Sequence, residues 1–133
     1  GLGDVYKRQD CYNANPVSMM ASIDVLSQAK GRKIAVLGDM GELGSEEKKL
    51  HGMVGTHFAG KKIDALFVTG TLAGEIAEEA RRVAPETRVY AEPDKEALEE
   101  ALLEYRRPGD TILVKASHFM GFSEIVKKLE QPQ

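Results

Sequence analysis

A chain of 133 residues, 42% hydrophobic and 29% charged, can bury one core of ordinary size and is too short for two. Eighteen basic against 21 acidic side chains leave a net charge of −3, which excludes charge-driven disorder and the basic footprint of a nucleic-acid binder. No run reaches the roughly 18 to 20 apolar residues of a membrane span, and the single cysteine, Cys11, excludes an internal disulfide framework. With no apolar secretory core at the start, the expected setting is the cytoplasm, without nucleic acid or membrane as partner.

In chain order, residues 1–9 show no helix or strand pattern that connects to the rest of the chain. Asp4-Val5-Tyr6-Lys7-Arg8-Gln9 resembles the translated end of a transposon adapter, so residues 1–9 are read as non-native and residues 10–133 as one domain. A frayed natural terminus is the alternative. Asn15-Pro16 opens a helix, with Asn as cap and Pro at the first helical position. Its core face is Met19, Ile23 and Leu26, with Met20 close to it, and Gly31 stops it. Residues 33–38 are an apolar run of buried-strand type. Residues 39–44 form a loop, and Ser45-Glu46-Glu47 begins a helix with acids in its first turn. Leu50, Val54 and Phe58 mark its core face, with Met53 and His57 as partial-core residues.

The unit then repeats. Residues 64–70 predict a strand, and Thr71 caps a helix with Leu72, Ile76, Ala80 and Val83 inward. Residues 87–91 are a weaker strand, followed by a helix capped by Asp94 and carrying Ala97, Leu98, Ala101, Leu102 and Tyr105. Pro108-Gly109-Asp110 is a turn, residues 111–115 a strong strand, and Phe122, Ile125, Val126 and Leu129 mark a closing helix. Strands alternating with helices predict an α/β fold: a Rossmann-like three-layer sandwich, with a mainly parallel sheet and helices on both faces. Right-handed crossovers place the loops after the strands at one rim, where open α/β sheets bind ligands.

Four segments are expected at that rim: residues 10–15, 38–44, 69–74 and 115–121. Gly38-Asp39-Met40-Gly41-Glu42-Leu43-Gly44 resembles a phosphate loop but has neither Gly-Lys-Ser/Thr nor the dinucleotide spacing. Its acids would repel phosphate, and a turn needing positive φ explains the glycines equally well. Lys115, Ser117 and His118 bring an ammonium, a hydroxyl and an imidazole together after an apolar strand. They suit a carboxylate or phosphate, or else a snorkelling lysine, a capping serine and a plain helix-start histidine. Asn15 is explained by capping; Asn13 is not. His51 and His57 are six apart, on different helix faces, so a metal pair is not expected. Cys11 has no identifiable base and reads as a small hydrophobe. A phosphorylated receiver is not expected, because the second strand ends Thr69-Gly70 with no carboxylate.

Three motifs in order, Asp10-Cys11-Tyr12-Asn13-Ala14-Asn15-Pro16, Gly38-Asp39-Met40-Gly41-Glu42-Leu43-Gly44 and Leu113-Val114-Lys115-Ala116-Ser117, resemble the C-terminal domain of the Mur ligases. Within that family they are similar to the branch that joins D-alanyl-D-alanine to a UDP-N-acetylmuramoyl-tripeptide. The resemblance implies ATP-dependent amide formation through an acyl phosphate, with ATP and Mg2+ bound mainly by a central domain. It also implies that the N-terminal and central domains of the same enzyme are partners of this lobe. Carried onto this chain, Asp10, Tyr12, Asn13 and Asn15 lie near the nucleotide. Asp39 and Glu42 face the dipeptide's ammonium; Lys115 and Ser117, with His118, suit its carboxylate. No catalytic residue and no metal ligand is assigned here. Gln9 stands where members often carry a second acid, and Gly52 where they commonly carry Arg. With no P-loop, the chain alone is expected to be inactive. The competing readings are a free-standing α/β module that binds a small anion, and a related ligase domain acting on folate or cyanophycin-type substrates.

Overall fold

The structure, a computed structural model, describes the backbone of residues 6–10 and the whole of residues 14–131. Its strands are β1 (Tyr6–Asp10), β2 (Lys33–Leu37), β3 (Ala65–Thr69), β4 (Arg88–Glu92) and β5 (Thr111–Lys115). Its helices are α1 (Pro16–Ser27), α2 (Glu47–Thr56), α3 (Ala73–Val83), α4 (Lys95–Tyr105) and α5 (Ser123–Leu129). The strands pair in the order β1-β5-β2-β3-β4, every pair parallel, as the strand–helix alternation predicts.

Because side chains alternate across a strand, each central strand supplies both cores. Ala35, Leu37, Leu66, Val68 and Leu113 face Met19, Ile23, Val54, Phe58, Ile76 and Ala80 of the α1–α3 layer. Ile34, Val36, Phe67, Ile112 and Val114 face Leu98, Leu102, Phe122, Ile125 and Leu129 of the α4–α5 layer. All carboxyl ends of the strands therefore share one rim, and everything joined to them meets there.

The structure corrects several local expectations. Residues 6–9, set aside on sequence grounds, pair together with Asp10 as an edge strand with β5, Tyr6 opposite Thr111 and Asp10 opposite Lys115. Parallel pairing uses main-chain groups alone, so an extended segment satisfies it without an apolar pattern. Helix α1 ends at Ser27, four residues before Gly31, and α2 starts at Glu47 after a 3₁₀ turn over Gly44–Glu46. Phe58 lies beyond the end of α2 yet is fully buried, and Met53 is 41% exposed rather than core. Strand β4 starts at Arg88, because the Thr87 amide closes a turn onto the Ala84 carbonyl (3.0 Å) instead of joining the ladder. Thr71 does not cap α3; the cap residue is Leu72, with no capping side chain of its own. The caps at Asn15 and Asp94 form as predicted, accepting from the amides of Ser18 (2.9 Å) and Ala97 (2.8 Å).

Candidate functional site

Three consecutive residues after β2 are each fastened to a different element. Asp39 is 7% exposed, and its Oδ1 accepts the amides of Leu72 (3.0 Å) and Ala73 (2.7 Å). It thus supplies the cap that Thr71 does not, placing a carboxylate at the positive end of α3. The Met40 amide donates to His51 Nε2 (3.0 Å) on α2. The Gly41 amide donates to Ser117 Oγ (2.7 Å), and the Ser117 amide donates back to the Asp39 carbonyl (3.0 Å). The loops after β2 and β5 are thereby laced into one unit.

Close packing sets the glycines around this unit. Gly38 has ordinary φ, but a Cβ there would stand 2.7 Å from Phe122 Cζ and 2.9 Å from the Ala116 Cβ. Gly70 has φ +128°, and a Cβ there would stand 2.6 Å from Asp39 Cγ; only glycine fits both the backbone and the space. The turn reading therefore explains Gly44, at φ +75°, while Gly38 is explained by the ring above it.

Above the laced loops lies a cavity of about 540 Å³ lined by Ala14, Asn15, Gly41, Glu42, Leu43, Ser117, His118 and Phe119. Glu42 takes φ +59°, a left-handed conformation that costs a non-glycine residue about 1–2 kcal/mol. Strain held in place at a cavity wall points to a positioned group. Glu42 and His118 are exposed, and Phe119 is 67% exposed beside them, where Gly41 leaves room for its ring. The wall so offers a carboxylate, an imidazole, a hydroxyl and an apolar ring to one small polar ligand.

The structure brings Asn15, Glu42, Ser117 and His118 to this one cavity. Asp39 and Lys115 do not line it: both are buried, Lys115 only 1% exposed, at the end of β5 between Leu37 and Asp10 in register. The lysine is therefore not snorkelling to solvent. Ser117 precedes the short 3₁₀ turn His118–Met120 without capping it, its oxygen being taken by the Gly41 amide. Asp10 is placed by its strand register, whereas Cys11, Tyr12 and Asn13 lie outside the described residues. The segment 69–74 is joined to the site through Asp39 and is not among the residues lining the cavity. Sequence reasoning missed His51, Gly70 and Phe119. A histidine on the buried side of a helix facing an acid-bearing loop was the available signal for His51; for Phe119 there was an aromatic residue directly after Ser117-His118.

The family model for the Mur ligase, glutamate ligase domain, matches residues 4–118. The chain belongs to the Mur ligase family. The match begins within the segment that the adapter reading sets aside. A UDP-N-acetylmuramoyl-tripeptide–D-alanyl-D-alanine ligase of Bacillus subtilis (strain 168) is 42% identical over 122 residues, covering 90% of this chain and 27% of that protein. The corresponding ligase of a Synechocystis strain is 35% identical, covering 95% of this chain and 28% of its own length. The crystal structure of the MurF ligase of Thermotoga maritima in complex with ADP superposes with a TM-score of 0.77 at 27% identity, covering 96% of this chain and 28% of that one. This Mur ligase domain thus spans little more than a quarter of the length of the relatives it matches, and no helix among its described residues is long and apolar enough to cross a membrane.

Proposed function

We propose that this Mur ligase domain is the carboxyl-terminal lobe of an ATP-dependent ligase that joins D-alanyl-D-alanine to a UDP-N-acetylmuramoyl-tripeptide during cytoplasmic peptidoglycan precursor synthesis. The observation that carries the reading is the shared cavity of Glu42, Ser117, His118 and Asn15, in a chain whose relatives are ligases of that name. An incoming dipeptide carries an ammonium and a carboxylate, and the wall offers partners for both. Glu42 accepts from the ammonium, with Asp39 adding negative charge from the same loop. Ser117 and His118 donate to the carboxylate, with Lys115 as the buried cation behind them. The nucleotide side is assigned to Asn15, and, on the resemblance alone, to Asp10, Tyr12 and Asn13.

ATP supplies the activation of the tripeptide carboxyl that the amine then attacks. The described residues do not fit the nucleotide phosphates or magnesium: the sequence holds no Gly-Lys-Ser/Thr, and no group of three His, Cys, Asp or Glu could hold a metal among the described residues. The contribution of this lobe is placement of the amine, which converts a bimolecular attack into one between held groups. The central domain of the same enzyme is assigned the phosphate and metal chemistry, and the N-terminal domain is its further partner.

The test is a chimera in which residues 10–133 replace the matching segment of the Bacillus relative. D-Alanyl-D-alanine-dependent ADP release is expected, with Glu42→Gln raising the dipeptide KM about tenfold. A folded chimera that releases ADP only with a different amine, or with none, defeats the reading.

A further inference from the structure

His51 is fully buried on α2, eleven residues from the nearest cavity-loop group it touches, and reaches no ligand position. Both of its ring nitrogens are nonetheless used. Nδ1 lies 2.7 Å from the Glu47 carbonyl, which can only accept, so Nδ1 carries the proton. Nε2 is then a bare acceptor, and it takes the Met40 amide at 3.0 Å. A neutral imidazole of this single tautomer is the arrangement that satisfies both partners.

Met40 is the middle of the three fastened residues and stands two before Glu42. Asp39 is held by α3 and Gly41 by Ser117, and the Met40 amide is the remaining tether of the run that leads into Glu42, whose φ is +59°. Glu42 lines the cavity, so the backbone of this run sets where its side chain stands. We propose that His51 is a positioning residue that, through the Met40 amide, holds Glu42 in its strained, ligand-facing conformation for the amine substrate. This rests on the reading of Glu42 as the group that binds the substrate ammonium.

Two substitutions separate the ring nitrogens. Glutamine places an amide oxygen near the position of Nε2, whereas the shorter asparagine reaches only the position of Nδ1. In the chimera, His51→Gln is expected to keep the dipeptide KM within about twofold. His51→Asn is expected to raise it about tenfold, with kcat and the ATP KM within about threefold. In the 133-residue chain, the Met40 and Gly41 amides should exchange about ten times faster in His51→Asn than in His51→Gln, with β5 unchanged. Should His51→Asn not fold, His51→Met, which fills the space without an acceptor, supplies the same comparison. Equal KM values for the Gln and Asn variants overturn the proposal. So does a His51→Asn effect that persists in full in a Glu42→Gln background, since positioning predicts that it disappears there. If Glu42→Gln alone leaves KM unchanged, the assignment of Glu42 is what fails, and the positioning role falls with it. If Glu42→Gln has its effect and His51→Asn does not, the assignment stands and the positioning role alone is overturned.

Discussion

Two buried aspartates close opposite rims of the sheet, and they are satisfied by different partners. At the amino rim, Asp110 takes Arg32 through both oxygens, at 2.9 and 2.7 Å, and also the Arg107 amide. Arg32 in turn donates to the Tyr105 carbonyl and lies 4.2 Å from the centre of its ring. The Asp110 carboxylate holds the guanidinium above its ordinary range. At the carboxyl rim, Asp39 meets no cation among the described hydrogen bonds and takes backbone amides of α3 instead. The first arrangement spends its side chains on one another and locks the strand entries. The second stabilises its acid with main chain, which leaves Glu42, Ser117 and His118 disposed toward a cavity.

That contrast can be broken at either end. The largest effect is expected from Gly70→Ala, which meets the Asp39 carboxylate at a φ of +128°. Strain and overpacking together should cost about 3 kcal/mol, read as a fall in the urea midpoint. Asp110→Ala should cost about 2 kcal/mol by leaving the Arg32 fork and the Arg107 amide without their acceptor, yet the dipeptide KM of the chimera should not move. An equal loss of substrate affinity from both variants would erase the distinction between the rims. Glu42→Gly is expected to act in the opposite sense on stability, raising it by about 0.5–1 kcal/mol because glycine takes a left-handed φ freely. The same change should remove dipeptide affinity, so stability and binding part company there.

The smallest effect lies at neither rim. Asp24 accepts from Lys61 (2.7 Å) and His57 (2.8 Å), and the Lys61 contact, then the His57 contact, lowers its carboxyl below the ordinary 3.8. A lowered folded value means stability present above 3.8 and lost as pH falls through the folded value. Half-exposed as it is, Asp24 should contribute no more than about 0.5 kcal/mol. The stability gap between wild type and Asp24→Asn, measured across an acid titration, should therefore be small at neutral pH and close in acid.

Much of the fold was legible from periodicity. The strands within the runs at 33–38, 64–70 and 111–115 are buried on both faces, and their order with the helices leaves a parallel sheet as the natural solution. Edge strands were less legible. β4 is displaced by one residue, and β1 has no apolar alternation because its pairing is carried by main-chain groups. The Asn15 and Asp94 caps were readable because a cap and its amides are three residues apart. The Asp39 cap was not, because its amides lie 33 and 34 residues away.

The candidate site divides along the same line. Its polar set, Asn15, Asp39, Glu42, Lys115, Ser117 and His118, could be chosen from the sequence because each ends or follows a predicted strand or opens a predicted helix. Local chemistry and spacing determine that much: the α/β order, the rim, and the kinds of group gathered there. Which of them face the cavity was decided only in three dimensions. Met40 meets His51 across 11 residues, and Gly41 meets Ser117 across 76; such bonds leave no periodic trace in the chain. They tie Ser117 to the loop that carries Glu42 to the wall, because a buried amide must find an acceptor wherever the packed elements bring one, while Lys115 is buried by its place between neighbouring strands.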